Sequence, residues 1–354
     1  MKYYSLNCLV GIGVDDTYPW HDTLFFNNNL SSKDPMVYNS CQAFIEVRYQ
    51  KELDLSDVRW IGDNAYIGGG IYVDKGYGVR VERLGSDHII MTVSQECNEW
   101  LIILLELSLI SLGYTMIHGA AVEREGAVYL MPSWGGVGKT ATVCEFVRNQ
   151  GWKLLGDDLI IVREGFAMPF LKPFVIYPYH KDLFPEVFKT ADNYTIKNNW
   201  LSGLMSKAIP TVKRVLRPFP RVLAFLRKHN PQSTRVSPYV LFESSQLSDG
   251  GVPVYTVWLE RSRKESVQYN SVDAQEIVSK TVAVTLSELF AAKLNDFYQM
   301  CGCGLFNFDE TMNRMYRIID ATFRNTSCSV LEIPASVSIN HVGEIVYRQI
   351  MKDE

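Results

Sequence analysis

The segment SWGGVGKT, residues 133–140, restricts the possible folds of this chain more than any other part of the sequence. The apolar run AVYLM at residues 127–131 predicts a strand directly before it, and residues 140–149 predict a helix directly after it. Glycines in a strand-to-helix turn allow several backbone N–H groups to point at one anion, and the new helix adds its positive end. The pattern therefore predicts a mixed α/β (α+β) chain with a phosphate-binding turn. The alternative is a glycine-rich turn that binds nothing.

The individual residues of this turn predict how a nucleotide would be held. The common form of the motif is G-x-x-x-x-G-K-[ST], and Ser133 stands here in place of the first glycine. Lys139 is predicted to reach the β- and γ-phosphates, and the hydroxyl of Thr140 to ligate Mg²⁺. The residues predicted to bind the nucleotide are Ser133, Gly135, Gly136, Val137, Gly138, Lys139, Thr140 and Ala141.

Two adjacent carboxylates, Asp157 and Asp158, lie in the apolar run at residues 154–162, which predicts a strand. Burying carboxylates costs free energy unless a positive group meets them, and Mg²⁺ on a nucleotide would serve. The predicted metal ligands are therefore Thr140, Asp157 and Asp158. One carboxylate could also accept the proton of an attacking hydroxyl, since neighbouring charges separate paired pKa values. A turn or a helix cap is the alternative.

Two further side chains are candidates for catalysis. His118, fifteen residues before Ser133, could belong to the site, although a single histidine in this position could equally be a packed core residue. Charge develops on a phosphoryl group during transfer and needs a positive partner. Arg261 and Arg263 follow a predicted strand at residues 254–260 and are candidates for that partner, with ordinary surface arginines as the alternative.

The run His118-Gly119-Ala-Ala, the glycine-rich turn and Gly156-Asp157-Asp158 together resemble the catalytic domain of HPr kinase/phosphorylase and the broader group of HPr-kinase-related proteins, which includes lasso-peptide precursor kinases. The resemblance covers about residues 116–162, with weaker similarity at 254–261 and 328–350. It implies a phosphoenolpyruvate-carboxykinase-like P-loop fold, ATP-dependent phosphorylation of a hydroxyl, Asp157 as catalytic base and His118 as active-site histidine. Ala141 stands where HPr kinases have a metal-assisting Glu, and the glycine- and arginine-rich C-terminal signature is missing, so the resemblance does not extend to HPr as substrate.

The remaining chain is predicted in two parts, a β-rich region at residues 1–95 and a catalytic region at residues 96–354. Alternating residues at 43–49, 69–73 and 78–84 predict strands of an antiparallel layer. The apolar segment 100–114 is too short to span a membrane and contains Glu106, so it predicts a buried core helix. Helices are predicted near 287–300, 309–323 and 342–352, and a strand at 329–333.

Composition excludes several classes of protein. Hydrophobic residues make up 47% and charged residues 21% of the 354, which excludes a disordered chain, and the net charge of -4 argues against a basic nucleic-acid binder. The seven scattered cysteines and the absence of a signal sequence at residues 1–20 predict a cytoplasmic protein with reduced thiols and no zinc site. A basic stretch at 207–235, within an insertion at about 200–238, predicts a solvated face or a substrate-docking surface in preference to a membrane or nucleic-acid site.

These observations predict an ATP- and Mg²⁺-dependent kinase that transfers the γ-phosphoryl group to a hydroxyl. The acceptor would be a serine in a peptide or protein, or a small hydroxylated metabolite such as a sugar, and the sequence does not separate the two. The alternative is a nucleotide-binding regulatory or assembly module with little turnover. We expect a nucleotide and a hydroxyl-bearing substrate as partners and no nucleic acid or membrane, and a homo-oligomer stays open.

Overall fold

The computed structural model describes residues 1–19, 35–61, 65–96, 98–190, 233–290 and 293–353. In chain order, its strands are β1 (Lys2–Leu6), β2 (Val10–Val14), β3 (Ala43–Tyr49), β4 (Arg59–Ile61), β5 (Ala65–Gly68), β6 (Ile71–Asp74), β7 (Val79–Leu84), β8 (His88–Val93), β9 (Thr115–Arg124), β10 (Ala127–Pro132), β11 (Lys153–Arg163), β12 (Phe166–Met168), β13 (Phe174–Ile176), β14 (Thr234–Val236), β15 (Val252–Ser262), β16 (Gln268–Ser271) and β17 (Ser327–Pro334).

The helices are α1 (Pro35–Asn39), α2 (Asn98–Ser111), α3 (Lys139–Cys144), α4 (Pro185–Thr190), α5 (Pro238–Leu241), α6 (Ala274–Leu289), α7 (Leu294–Gly302), α8 (Phe308–Phe323) and α9 (Val342–Asp353). A π-helical turn, Glu145–Asn149, directly continues α3. The predicted helix at 140–149 is therefore confirmed, with a change of pitch after its first six residues.

Two larger sheets carry the fold, and both are mixed. The first has the order β1-β2-β3-β8-β7-β6-β5-β4, and the second has the order β12-β11-β9-β10-β15-β17-β16. In the second sheet, β10, β15 and β17 run parallel, whereas β9 and β11 run antiparallel to their neighbours. The predicted mixture of helices and sheets is confirmed at this level.

Helix α2 packs between the two sheets, which explains why its sequence is apolar on nearly every side. Leu104 of α2 belongs to one core cluster with Ile12 and Val47 of the first sheet and with Met116 and Leu159 of the second. On the other face of the second sheet, α6 and α8 cover a separate core cluster. A helix enclosed on all sides needs no polar face, so the prediction of a buried core helix is confirmed.

Glu106 is the polar exception within α2, and the structure satisfies it locally. Both carboxylate oxygens accept hydrogen bonds, one from the Thr115 hydroxyl and one from the Met116 backbone N–H at 2.7 Å. Burial raises the pKa of Glu106 to about 8 despite these two hydrogen bonds. The carboxyl group is therefore mainly protonated at neutral pH.

Contacts divide the chain into two compact units, residues 1–172 with 242–354, and residues 173–241. The predicted division at residue 95 marks the end of the first sheet, and both large sheets lie in the same unit. Within the smaller unit, β13 and β14 pair antiparallel, and the rings of Phe174 and Phe184 lie 6.2 Å apart. Most of the basic stretch 207–235 lies outside the described residues.

Three details of the sequence prediction are wrong. The first sheet is not purely antiparallel, because β3 runs parallel to both β2 and β8, and alternating residues look the same in either direction. The strand predicted at 69–73 begins only at Ile71, because residues 69 and 70 form the turn before β6, where Gly70 has a φ of 81°. The helix predicted near 287–300 is two helices, α6 and α7, and α6 begins at residue 274 behind an Asp273 cap.

Candidate active site

The glycine-rich turn lies between β10 and α3, as the sequence predicts. Gly136 and Gly138 have φ angles of 78° and 112°, which side chains other than glycine adopt only at a cost. A Cβ atom on Gly138 would also approach the side chain of Val342 in α9 to 2.8 Å. The turn is therefore fixed by its own backbone conformation and by the packing of α9 against it.

Ser133, which replaces the first glycine of the common motif, belongs to the end of the strand more than to the turn. It forms a parallel bridge with Leu259 of β15, and its buried hydroxyl lies 3.5 Å from the Met131 carbonyl oxygen. Its φ is not in the left-handed region that favours glycine. The local geometry thus has room for a serine at a position where the common motif has glycine.

The ammonium group of Lys139 is buried in the turn. It donates hydrogen bonds to the carbonyl oxygens of Ser133 at 3.1 Å and Trp134 at 2.8 Å, and it lies 3.0 Å from Nε2 of His118. Burial lowers the pKa of Lys139 from its ordinary value. The lysine is therefore held at the turn by contacts that a phosphate group could replace.

Thr140 and Asp157 connect the turn to the carboxylate pair on β11. The Thr140 hydroxyl donates a hydrogen bond of 2.8 Å to Oδ2 of Asp157. Burial raises the pKa of Asp157 to about 6, with the nearby charge of Asp158 adding to the effect and the Thr140 hydrogen bond opposing it. Residues seventeen positions apart in sequence thus meet where the sequence predicts a metal.

Asp158 and His118 form a second contact beside the Thr140–Asp157 pair. Oδ1 of Asp158 lies 3.4 Å from Nδ1 of His118, and the other oxygen of Asp158 pairs with Lys172. Burial by itself raises the pKa of Asp158, but Lys172 and His118 lower it more, so the carboxylate is held ionised. Asp158 has a φ of 99°, and its strand carries a bulge between Leu154 and Gly156. A strained non-glycine residue at such a place is typical of a functional site.

His118 is neutral in this arrangement. Burial, together with the charge of Lys139, lowers its pKa to about 4. Because Nε2 accepts a hydrogen bond from Lys139, the ring proton is on Nδ1, which faces Asp158. His118 therefore connects Lys139 to Asp158. The close contact of β9 with β10 at Gly119 fixes the position of His118.

Lys172 and Glu288 belong to the same region but were not predicted from the sequence. Glu288 lies on α6 with Oε1 3.6 Å from the place of a Cβ atom on Gly135, and its charge acts on Lys139. No motif or spacing distinguishes either residue, since tertiary packing alone brings them to the turn.

Arg261 lies at the C-terminal end of β15, one strand away from the turn. Its Nη2 donates to the carbonyl oxygens of Ala335, at 3.1 Å, and Val337. Within the described residues its Nη1 is buried without a hydrogen-bond partner, and the side chain makes no ion pair. Arg263 is exposed. The structure thus does not bring Arg261 into hydrogen-bonding contact with Lys139 or with the aspartates.

The oxygen atoms of Thr140, Asp157 and Asp158 are the ligand type that Mg²⁺ prefers. Two of the three already touch, and Asp158 is the next residue along the strand. No cluster of three His, Cys, Asp or Glu residues suited to a metal was found in the described part of the chain. The donor set therefore fits an ion that takes its other ligands from phosphate and water. The side chain of Ala141 is buried at the turn and offers no further oxygen.

Comparisons with known proteins yield no family assignment. No family model matches the chain, and no curated protein matches it significantly. Among the residues that the structure describes, no helix is both long and apolar enough to cross a membrane.

Proposed function

We propose that the protein is an ATP- and Mg²⁺-dependent kinase of the HPr-kinase-like type, which transfers the γ-phosphoryl group of ATP to a hydroxyl. The observation that carries this proposal is the hydrogen bond between Thr140 of the glycine-rich turn and the buried Asp157. It unites a phosphate-binding turn with an acidic pair at the point where a metal-bound phosphate would lie. The phosphoenolpyruvate-carboxykinase-like fold is part of the same proposal.

Each residue of the turn has a role in this proposal. Lys139 would exchange its contacts with the Ser133 and Trp134 carbonyl oxygens for contacts with phosphate oxygens. Thr140 and Asp157 would hold Mg²⁺, with Asp158 beside them, and the ion would neutralise phosphate charge when bound. His118 would orient Asp158 through its Nδ1 proton. Arg261 would need to turn away from Ala335 to stabilise the transferred group.

The geometry favours different roles for the two aspartates. The sequence predicts Asp157 as the base, and its raised pKa suits proton transfer. However, Asp157 faces Thr140, whereas Asp158 lines an open cavity together with His118. We therefore propose that Asp157 serves the metal and that Asp158 receives the proton of the acceptor hydroxyl, since a loose transition state requires little basicity.

A nucleotide-binding regulatory module is the second candidate. The observation that favours it is that the Lys139 ammonium contacts two carbonyl oxygens and His118, together with the missing side-chain oxygen at Ala141. Such a protein would bind ATP and change conformation with little turnover.

Labelled ATP separates these functions. We expect the wild-type protein to bind Mg-ATP and to transfer the γ-phosphoryl group to a serine peptide or a small alcohol. Lys139→Ala should abolish both binding and transfer. Asp158→Asn should stop transfer and leave nucleotide binding nearly unchanged, whereas Asp157→Asn should also raise the Mg²⁺ concentration that is required. Tight ATP binding by the wild type without transfer to any acceptor supports the regulatory module, and absence of ATP binding refutes both functions.

A further inference from the structure

A cavity of about 230 Å³ opens beside the carboxylate pair. His118, Asp158 and Lys172 line the part of it nearest the glycine-rich turn. Since Asp158 is one of the two candidate reacting carboxylates, a molecule in this cavity would lie directly beside it. The cavity lies wholly in the unit formed by residues 1–172 and 242–354.

The size of the cavity limits its occupant. Sites for drug-sized ligands have volumes of roughly 300–1,000 Å³, so this cavity is too small for a nucleoside triphosphate. Ile102 and Ile103 of α2 and Leu289 of α6 form an apolar part of the lining. A small molecule with both an apolar segment and polar groups therefore fits this lining, which also contains charged residues.

The charges of the lining indicate what the far end of such a molecule carries. Lys172 is paired with Asp158, and Lys293 is paired with Asp74 and Asp296 at 3.5 and 3.6 Å. The two remaining charged groups of the lining are carboxylates. Both cations of the lining are therefore already neutralised by acidic partners.

Glu99 of α2 and Glu288 of α6 are exposed side chains of the lining. Neither has an ion-pair or hydrogen-bond partner for its carboxylate among the described residues. The charge of Glu288 also acts on Lys139, and either carboxylate could form a charge-assisted hydrogen bond with a cationic group of a ligand in the cavity. A protonated amine is the simplest such group.

We propose that this cavity binds the phosphoryl acceptor, and that the acceptor is a small alcohol that carries a protonated amine. This inference rests on the proposed kinase function. The amine would pair with Glu99 or Glu288, the carbon chain would lie against Ile102 and Leu289, and the hydroxyl would reach Asp158. In the reaction, the hydroxyl oxygen of the acceptor forms a bond to the γ-phosphorus of ATP, and the hydroxyl proton passes to Asp158. The bond between the γ-phosphorus and the β–γ bridging oxygen breaks, and ADP leaves.

The test uses the full chain and a matched set of alcohols. The set comprises 2-aminoethanol and 3-amino-1-propanol, the neutral 1,3-propanediol, the anionic 3-hydroxypropanoate, and a peptide with an N-terminal serine. Calorimetry measures their binding at low salt in the presence of Mg²⁺ and a non-hydrolysable ATP analogue, and labelled ATP measures transfer. ATP-analogue binding is recorded separately, so that a failure of the nucleotide site is distinguished from a failure of the cavity.

We expect the amino alcohols to bind and to be phosphorylated in preference to the diol and the acid. Glu99→Gln should weaken amino-alcohol binding roughly threefold or more and leave ATP-analogue binding within about twofold. Adding Glu288→Gln should weaken amino-alcohol binding further, and its effect on the ATP analogue is measured separately because the charge of Glu288 also acts on Lys139. Glu265→Gln removes an exposed carboxylate outside the cavity and should change nothing. Leu289→Trp, which adds bulk to the lining, should exclude the amino alcohols while the ATP analogue still binds.

Three results would overturn the inference. Preference for the diol or the acid, with ATP binding intact, refutes the amine-bearing acceptor and leaves the kinase proposal standing. Phosphorylation of the peptide alone refutes the small-molecule acceptor. Failure of the wild type to bind the ATP analogue refutes the kinase function, and with it the acceptor role of the cavity.

Discussion

Asp157→Asn should make the protein more stable at neutral pH, because the native carboxylate is buried at a free-energy cost. The pKa of Asp157 rises from the ordinary 3.8 to about 6 in the folded state, and burial is the largest cause. Because the folded pKa is the higher one, the stabilising contribution is complete below pH 3.8 and is lost as the pH rises through 6. The difference corresponds to about 3 kcal/mol at pH 7 as an upper limit.

The asparagine retains an oxygen that can accept the Thr140 hydroxyl, so the local hydrogen bond is preserved. Its amide N–H₂ must find a partner in a buried position, which costs roughly 1–3 kcal/mol. The net gain at pH 7 is therefore expected to lie between about zero and 2 kcal/mol. The pH dependence of the difference between the two proteins is the sharper quantity, because the cost of the amide is independent of pH.

Urea unfolding of both proteins at closely spaced pH values from 4 to 8 measures this difference. The stability of Asp157→Asn relative to wild type should rise by about 2 kcal/mol across this range, and Asp249→Asn, at an exposed position, should show no such trend. A relative stability that is flat with pH, or that falls as the pH rises, refutes the electrostatic account of this site. Mg²⁺ with ATP should raise the melting temperature of the wild type more than that of the variant, since only the wild type has the Asp157 carboxylate for the metal.

Three other substitutions test the local geometry of the turn and the core. Ser133→Gly should leave the ATP dissociation constant within about twofold and lower the free energy of unfolding by about 0.5–1 kcal/mol. The reason is that Ser133 has an ordinary backbone conformation that does not require glycine. Calorimetry measures the first effect and urea unfolding the second. Gly138→Ala should cost at least about 1–2 kcal/mol and weaken nucleotide binding, because its φ is 112° and its Cβ would meet Val342 at 2.8 Å; a variant as stable as wild type contradicts the described turn. The wild type should lose stability as the pH rises from 4.5 through about 8, and Glu106→Gln should remove that loss. The reason is that an amide can form hydrogen bonds with Thr115 without ionising. Urea unfolding at pH 5 to 9 measures the two profiles, and identical profiles would count against a buried titrating carboxyl.

The parts of the site that were predictable from sequence are those in which chemistry and local structure coincide. The strand, the glycine-rich turn and the helix are consecutive, so backbone conformation alone places Lys139 and Thr140 at the turn. Likewise, two aspartates within an apolar strand signal a functional requirement wherever that strand lies. The contact of Asp157 with Thr140 follows from the motif only if β11 lies near β10, and one strand, β9, separates the two.

The direction of the strands in the first sheet could not be predicted, because alternating burial is the same in parallel and antiparallel pairs. The presence of Lys172 and Glu288 at the site could not be predicted either, because both lie in segments with no motif of their own. The sequence by itself determined a glycine-rich strand-to-helix turn, an acidic pair within a strand and a helix so apolar that it must be enclosed. Only the tertiary structure decided that α2 and α6 together line a small cavity beside Asp158, since that depends on how separate elements pack and not on the residues of any one of them.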